Sequence, residues 1–178
     1  MPTVSLAKQN FSTAAEDLLN TQIRIEQIAQ HTYLAAAAYF GQDTVALPGL
    51  EHYFLETAEH QGRRVQHLID YLTMRGGETI IQQIPQPPLE WESPRNALET
   101  SLMLEKDVNK SLLNLTTVAI DHRDTELEHH MKQNHLMDKV KLIEHVVKGL
   151  TQLERVNGTG LGLHLWDQEL YRREKFPV

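Results

Sequence analysis

The stretch that most restricts the fold is Gln82-Gln83-Ile84-Pro85-Gln86-Pro87-Pro88-Leu89-Glu90-Trp91. Proline lacks a backbone N–H and its ring clashes with the preceding turn, so this run cannot be helical. It reads as an extended, polyproline-like connection of about 15 residues with its flanks. Both sides of it are helix-patterned, with no strand-like alternation of any length and no internal repeat. So long a connection between helices suits a crossover running the length of a bundle.

Capping residues delimit the helices. Ser12 or Thr13 opens the first, with Glu16 as a capping-box partner, and the pattern covers 12–40. Pro48 sits at a first-turn position of the second, 48–75, which Arg75-Gly76-Gly77 ends. Ser93-Pro94 starts the third, 94–122, and Asp124 caps a fourth over 125–157. The fourth has its strongest apolar face at Leu136, Val140, Ile143, Val147 and Leu150. A short fifth helix covers 163–172, and residues 1–11 form an N-terminal arm. A chain of 178 residues so arranged is a single all-α domain, 1–178: a four-helix bundle with a long crossover between helices two and three and a short fifth helix.

Two carboxylates interrupt the buried stripes. Glu26 lies in line with Ala15, Leu18, Gln22, Ala29, Tyr33, Ala36 and Phe40; Glu105 lies in line with Leu98, Leu102, Val108, Leu112, Leu115 and Ala119. A carboxylate on a buried face is costly unless a metal ion, a basic side chain or a proton answers it. Bundles with a glutamate from each of two helices and E-x-x-H from the others hold paired iron ions. Here the matching place on helix two reads Gln61-Gly62-Arg63-Arg64, and the E-x-x-H in Glu126-Leu127-Glu128-His129 starts helix four, off the central face. The pattern supports a metal-bundle ancestry but not an intact di-iron centre.

A net charge of −7 argues against a nucleic-acid surface. With no cysteine, thiolate metal sites and thiol nucleophiles are excluded. The start, Met1-Pro2-Thr3-Val4-Ser5, lacks the charged and apolar regions of a signal peptide, and no apolar run approaches the ~20 residues that span a bilayer. The cytoplasm is the expected compartment, with no membrane partner.

Ordered stretches along nearly the whole chain resemble the eukaryotic-type ferritins, from about Gln9 to Leu170. They include Ile25-Glu26-Gln27-Ile28-Ala29 with Tyr33-Leu34, Tyr53-Phe54-Leu55, Arg75-Gly76-Gly77 and Trp91-Glu92-Ser93. Further on come Leu104-Glu105-Lys106-Asp107-Val108-Asn109-Lys110-Ser111-Leu112-Leu113 and Gly160-Leu161-Gly162-Leu163-His164-Leu165-Trp166-Asp167. The resemblance implies the ferritin-like bundle, a hollow 24-subunit shell, and iron stored as a ferric mineral. It aligns Glu26, Tyr33 and Glu105 with the family's ferroxidase centre. Where heavy-type chains carry a bridging glutamate, a histidine ligand and a glutamine, this chain has Gln61, Arg64 and Lys139. Arginine has no lone pair for iron. We therefore expect Arg64 and Lys139 to replace the metals as salt-bridge partners of Glu26 and Glu105. The resulting expectation is an iron-storage subunit without ferroxidase activity of its own, light-chain-like, either storing iron passively or partnering a heavy-type subunit. A weak oxidase using Glu26, Glu59, His60 and Glu105, and a cage-forming carrier that stores no iron, are the alternatives.

Three further places carry expectations from the resemblance. Glu56 and Glu59, with His60 beside them, fall where light-type chains nucleate mineral; the same patch also reads as an ordinary solvated helix face. His129 and Lys132 fall where the family lines three-fold channels with acids. A ring of His129 could bind a transition metal, whereas a ring of Lys132 would repel cations; surface residues unrelated to iron are the other reading. Leu161, Leu165 and Glu169 recur along a line that faces a four-fold axis in the family, where clustered Glu169 carboxylates would need a proton or a cation; an ordinary exposed surface is the other reading.

Overall fold

The computed structural model describes residues 5–173 and Phe176. Residues 1–4 of the expected arm lie outside the described residues. Helix α1 spans Thr13–Phe40, α2 Pro48–Met74, α3 Pro94–Asp121, α4 Thr125–Met131, α5 Met137–Arg155 and α6 Gly160–Arg173. Between α4 and α5 the chain continues through one π turn, Lys132–Leu136, so the expected fourth helix is one rod with a local change of pitch. α6 begins three residues before the expected start at 163.

The caps explain the starts. Ser12 Oγ accepts from Ala15 N at 3.1 Å, Ser93 Oγ from Asn96 N at 3.0 Å, and Asp124 Oδ1 from Leu127 N at 3.1 Å. Glu16 does not complete a capping box. Its carboxylate accepts from Glu78 N at 2.7 Å and pairs with Lys8, tying α1 to the start of the crossover. α2 ends with Gly76 at φ +77, Gly76 N donating to Thr73 O and Gly77 N to Leu72 O, both at 3.0 Å. A side chain is strained in that left-handed conformation, which is why the helix stops at a glycine.

The crossover is extended, as its prolines require, and its backbone is held by α1. Asn20 Nδ2 donates to Glu78 O at 2.9 Å, Ile80 N donates to Asn20 Oδ1 at 2.8 Å, and Arg24 Nε donates to Gln83 O at 3.0 Å. These bonds answer backbone groups that no helix or sheet satisfies. At its far end Trp91 is buried and stacks near Phe54, which stacks in turn on Tyr33 and Phe40.

The buried face of the fourth rod differs from the expected one. Leu127, Met131, His135 and Lys139 point inward at steps of four, followed by Val146, Gly149 and Leu153. Val140 is 57% exposed and Val147 42%. The π turn holds more residues per turn than an α-helix, so steps of four stay on one face through it. A strict 3.6 period carried through that segment selects the wrong stripe.

α6 docks on the start of α2. Leu47 offers no side-chain cap, and the Asp167 carboxylate supplies one from α6, accepting from Gly49 N at 3.0 Å and Leu50 N at 2.9 Å. Burial raises the Asp167 pKa from its ordinary value, and the two backbone donors and the nearby His164 only partly offset this. A Cβ at residue 49 would lie 2.1 Å from Asp167 O, so only glycine permits this approach. Gly49→Ala should therefore displace α6 and cost at least about 1–3 kcal/mol, the range for forced overpacking. A lowered thermal midpoint with weakened assembly is the expected readout; an unchanged midpoint would show that α6 adapts freely.

Candidate functional site

Each of the four long segments contributes side chains to one buried polar cluster. α1 supplies Gln22, Glu26 and Tyr33, α2 supplies Gln61, α3 supplies Ser101 and Glu105, and α5 supplies Lys139. Glu26, Glu105 and Lys139 are 0% exposed and Gln61 is 1% exposed. Lys139 Nζ lies 2.8 Å from Glu105 Oε2, 3.4 Å from Glu26 Oε2 and 3.4 Å from Gln61 Oε1. Gln61 Nε2 donates to Glu105 Oε1 at 2.9 Å, and Tyr33 OH donates to the same oxygen at 2.5 Å. Gln22 Nε2 donates to Glu26 Oε1 at 3.0 Å, and Ser101 Oγ donates to Tyr33 OH at 3.3 Å. Burial, then the charge and hydrogen bond of Glu105, hold the Tyr33 phenol well above its ordinary pKa, so it serves as a donor.

Lys139 thus stands between the two carboxylates. Arg64 does not. Its guanidinium, 16% exposed, reaches Asp138 Oδ2 at 3.5 Å and turns away from Glu26 and Glu105. Gln61 and Arg64 are three apart on α2 and share a helix face. Gln61 holds the inner place by its bonds to Glu105 and Lys139, and the longer Arg64 side chain extends past it to Asp138. Arg64 lines an outer cleft of about 590 Å³ with Tyr53, Glu56, His60, Lys141 and His145, and Gln61 forms part of its floor against the cluster.

Residues 16–156 match the ferritin-like domain. The chain belongs to the ferritin family. It is 36% identical over 167 residues to soma ferritin of Lymnaea stagnalis, covering 93% of this chain and 95% of that one. It is also 36% identical over 172 residues to ferritin-1 heavy chain of Schistosoma mansoni, covering 96% and 99%. A chloroplastic ferritin-3 of Vigna unguiculata is 36% identical over 174 residues, 95% of this chain and 68% of the relative. The all-helical bundle is the ferritin-like fold.

The remaining sites of this ferritin chain lie apart from the cluster. Glu56 pairs with His52 at 3.5 Å and Glu59 with Arg63 at 3.8 Å, all on the outer side of α2, and His60 is exposed beside them. Glu59 and His60 therefore do not join Glu26 and Glu105, which are buried on the other side of the helix. That separation corrects the rearranged-ligand expectation, and among the described residues no three His, Asp or Glu side chains are placed to hold a metal ion within one subunit. His129 is exposed, and Lys132 reaches back to Glu128 at 2.5 Å. Glu169 pairs within its own helix with Arg172 at 3.2 Å and with Arg173.

One buried residue near the cluster had no sequence signal. His135, in the π turn, is 1% exposed, and neither ring nitrogen has a hydrogen-bond partner. Burial, then the charge of Arg64 and the neighbouring His130, Lys139 and His67, push its pKa down to about 3 from 6.5. The unfolded chain takes up this proton below pH 6.5 while the folded chain refuses it, so stability falls as pH drops from 6.5 toward 3. At pH 4.5 the loss should be about 2–3 kcal/mol. His135→Leu should flatten the slope of stability against pH across that window; an unaltered slope would place the acid sensitivity elsewhere.

Proposed function

We propose that this chain is the subunit of a 24-subunit shell that stores iron as ferric mineral and has no ferroxidase centre of its own. The observation that carries the reading is the position of Lys139 Nζ, buried between Glu26, Gln61 and Glu105. A pair of ferrous ions would have to use the same carboxylate oxygens, and the ammonium both occupies that space and repels a cation. Gln61 offers a neutral amide where a bridging ligand needs charge, and Arg64 has no lone pair to offer. The residues present do not fit a resident di-iron centre, so iron enters this account only as cargo.

Assembly draws support from apolar surface that a lone subunit leaves exposed. Leu161 is 72% exposed and Leu165 59% on α6, with Leu89, Ile81 and Ile80 along the crossover. Such a subunit would serve in mixed shells with a heavy-type partner or form homopolymers. No described helix is long and apolar enough to cross a membrane.

Stopped-flow oxidation of ferrous iron by the purified homopolymer tests the reading. Slow growth that scales with mineral already formed is expected, without a rapid saturable phase at low iron per subunit. A rapid saturable phase would overturn it. Failure to load any iron would favour a shell with another cargo.

A further inference from the structure

The buried cluster has a second chemical property that involves no metal. Lys139 Nζ lies 3.4 Å from Gln61 Oε1, and the Glu105 carboxylate accepts from both groups, from Nζ at 2.8 Å through Oε2 and from Gln61 Nε2 at 2.9 Å through Oε1. One carboxylate therefore bridges an amine and the amide nitrogen that would leave if that amine attacked. We propose that Lys139 and Gln61 join through an amide bond, making a covalent cross-link between α2 and α5 with Glu105 as the proton carrier.

The geometry is close to what the step needs. With a C=O length of about 1.23 Å, the Gln61 amide carbon lies at most about 4.6 Å from Nζ, so a slide of about 1 Å reaches the ~3–3.5 Å of a near-attack arrangement. All three residues are at most 1% exposed, so the amine and carboxylate face each other out of bulk water, although Gln61 also borders the outer cleft. Tyr33 holds Glu105 Oε1 from the other side, fixing the bridging carboxylate.

The step balances as follows. The Lys139 ammonium gives one proton to Glu105, and the free amine adds to the Gln61 carbonyl carbon. A second amine proton passes through Glu105 to the departing nitrogen, the C–N bond of the original amide breaks, and ammonia leaves. One new C–N bond replaces the old one, Glu105 keeps one proton, and no oxidant, reductant or metal is consumed. The step itself conserves charge, two carboxylates and one ammonium becoming one carboxylate; Glu26, left with the neutral donor Gln22, then takes up a proton. The linked side chains fill the same space, so the site remains closed to paired cations. The two residues are 78 apart in sequence, so the bond closes a long loop of the chain.

Intact-mass spectrometry of the full chain, purified as the assembled protein and then denatured, tests the proposal independently of iron oxidation. The expected mass is below the sequence mass by one ammonia molecule. After proteolysis, the peptide containing Gln61 should be found joined to the one containing Lys139. Lys139→Arg should restore the sequence mass in the soluble assembled protein, and Glu105→Gln should do the same while keeping Lys139. Wild-type protein at full sequence mass would overturn the proposal. So would an ammonia loss that maps to another position, such as the exposed Asn157-Gly158 pair, with the Gln61 and Lys139 peptides recovered separately.

Discussion

Measured against parent chains whose Lys139 ammonium is free, Lys139→Met should destabilise the folded subunit by about 3–5 kcal/mol, the cost of removing one partner from a buried ion cluster. The ammonium is 0% exposed and makes the only cationic contacts that Glu26 and Glu105 have among the described residues. Without it, two carboxylates face one another across the bundle core with only neutral donors, Gln22, Gln61 and Tyr33, to answer them. Each must then take up a proton or remain as an uncompensated buried charge. Glu26→Gln with Glu105→Gln and Lys139→Met together should recover most of that loss, because replacing a whole buried ion cluster by neutral groups is often close to neutral in stability. The recovery makes the prediction specific to charge. If the loss came only from lost packing volume, the three substitutions would add rather than cancel. Thermal unfolding at fixed protomer concentration reads both results, and fixing the concentration matters because assembly itself stabilises the fold. A single variant as stable as the parent, or a triple variant worse than the single, would show that the cluster does not depend on Lys139.

Much of the architecture was legible because its determinants are local. Ser12, Ser93 and Asp124 cap the helices they precede, Gly76 ends α2, and the proline run becomes the crossover, each by chemistry within a few residues. The two buried glutamates were legible for a related reason: a carboxylate on an apolar stripe contradicts its own surroundings, and the contradiction shows in sequence. Their partner was half legible. Lys139 and Arg64 both fall at family ligand positions, but residue type does not tell which cation turns inward. That depends on Gln61 already holding the inner place on α2, and on the π turn setting the phase of α5. The same turn misled the reading of the fourth helix, where Val140 and Val147 fit an apolar period yet lie exposed, while His135 and Lys139 are buried. Asp167 capping α2 was invisible for another reason: its partners Gly49 and Leu50 lie more than a hundred residues away, and no local pattern links them. Glu16 erred in the opposite sense. Its spacing fits a capping box with Thr13, but Ser12 is the cap, and Lys8 and Glu78 N offer Glu16 a charged partner and a backbone donor instead.

Gln61→Glu, Arg64→His and Lys139→Gln, made together, should convert the site into one that binds divalent metal and oxidises ferrous iron. The three changes restore the ligand types that the family resemblance places at these positions, and each removes a different obstacle. Lys139→Gln takes away the ammonium that sits 2.8 Å from Glu105 and replaces it with a neutral amide. Gln61→Glu supplies a charged ligand in place of the amide that now donates to Glu105. Arg64→His removes a permanent cation and provides a lone pair, which the guanidinium lacks. Any one change alone leaves a cation or a missing ligand in place, so the effects should be strongly non-additive. With three carboxylates and no cation in the core, the metal-free triple variant should be less stable than the parent. Divalent metal should then restore it, by about 2.7 kcal/mol at a free concentration of about 100 Kd, while leaving the parent unchanged. Oxidation should rise on the order of 10-fold or more over the parent, in line with the ~10–100-fold sensitivity of metal sites to their supporting ligands. Metal-dependent stabilisation without faster oxidation would mean that the ligands assemble but the site lacks access for its substrates. Neither effect would mean that the bundle has repacked around Lys139 so far that the ligand geometry is lost.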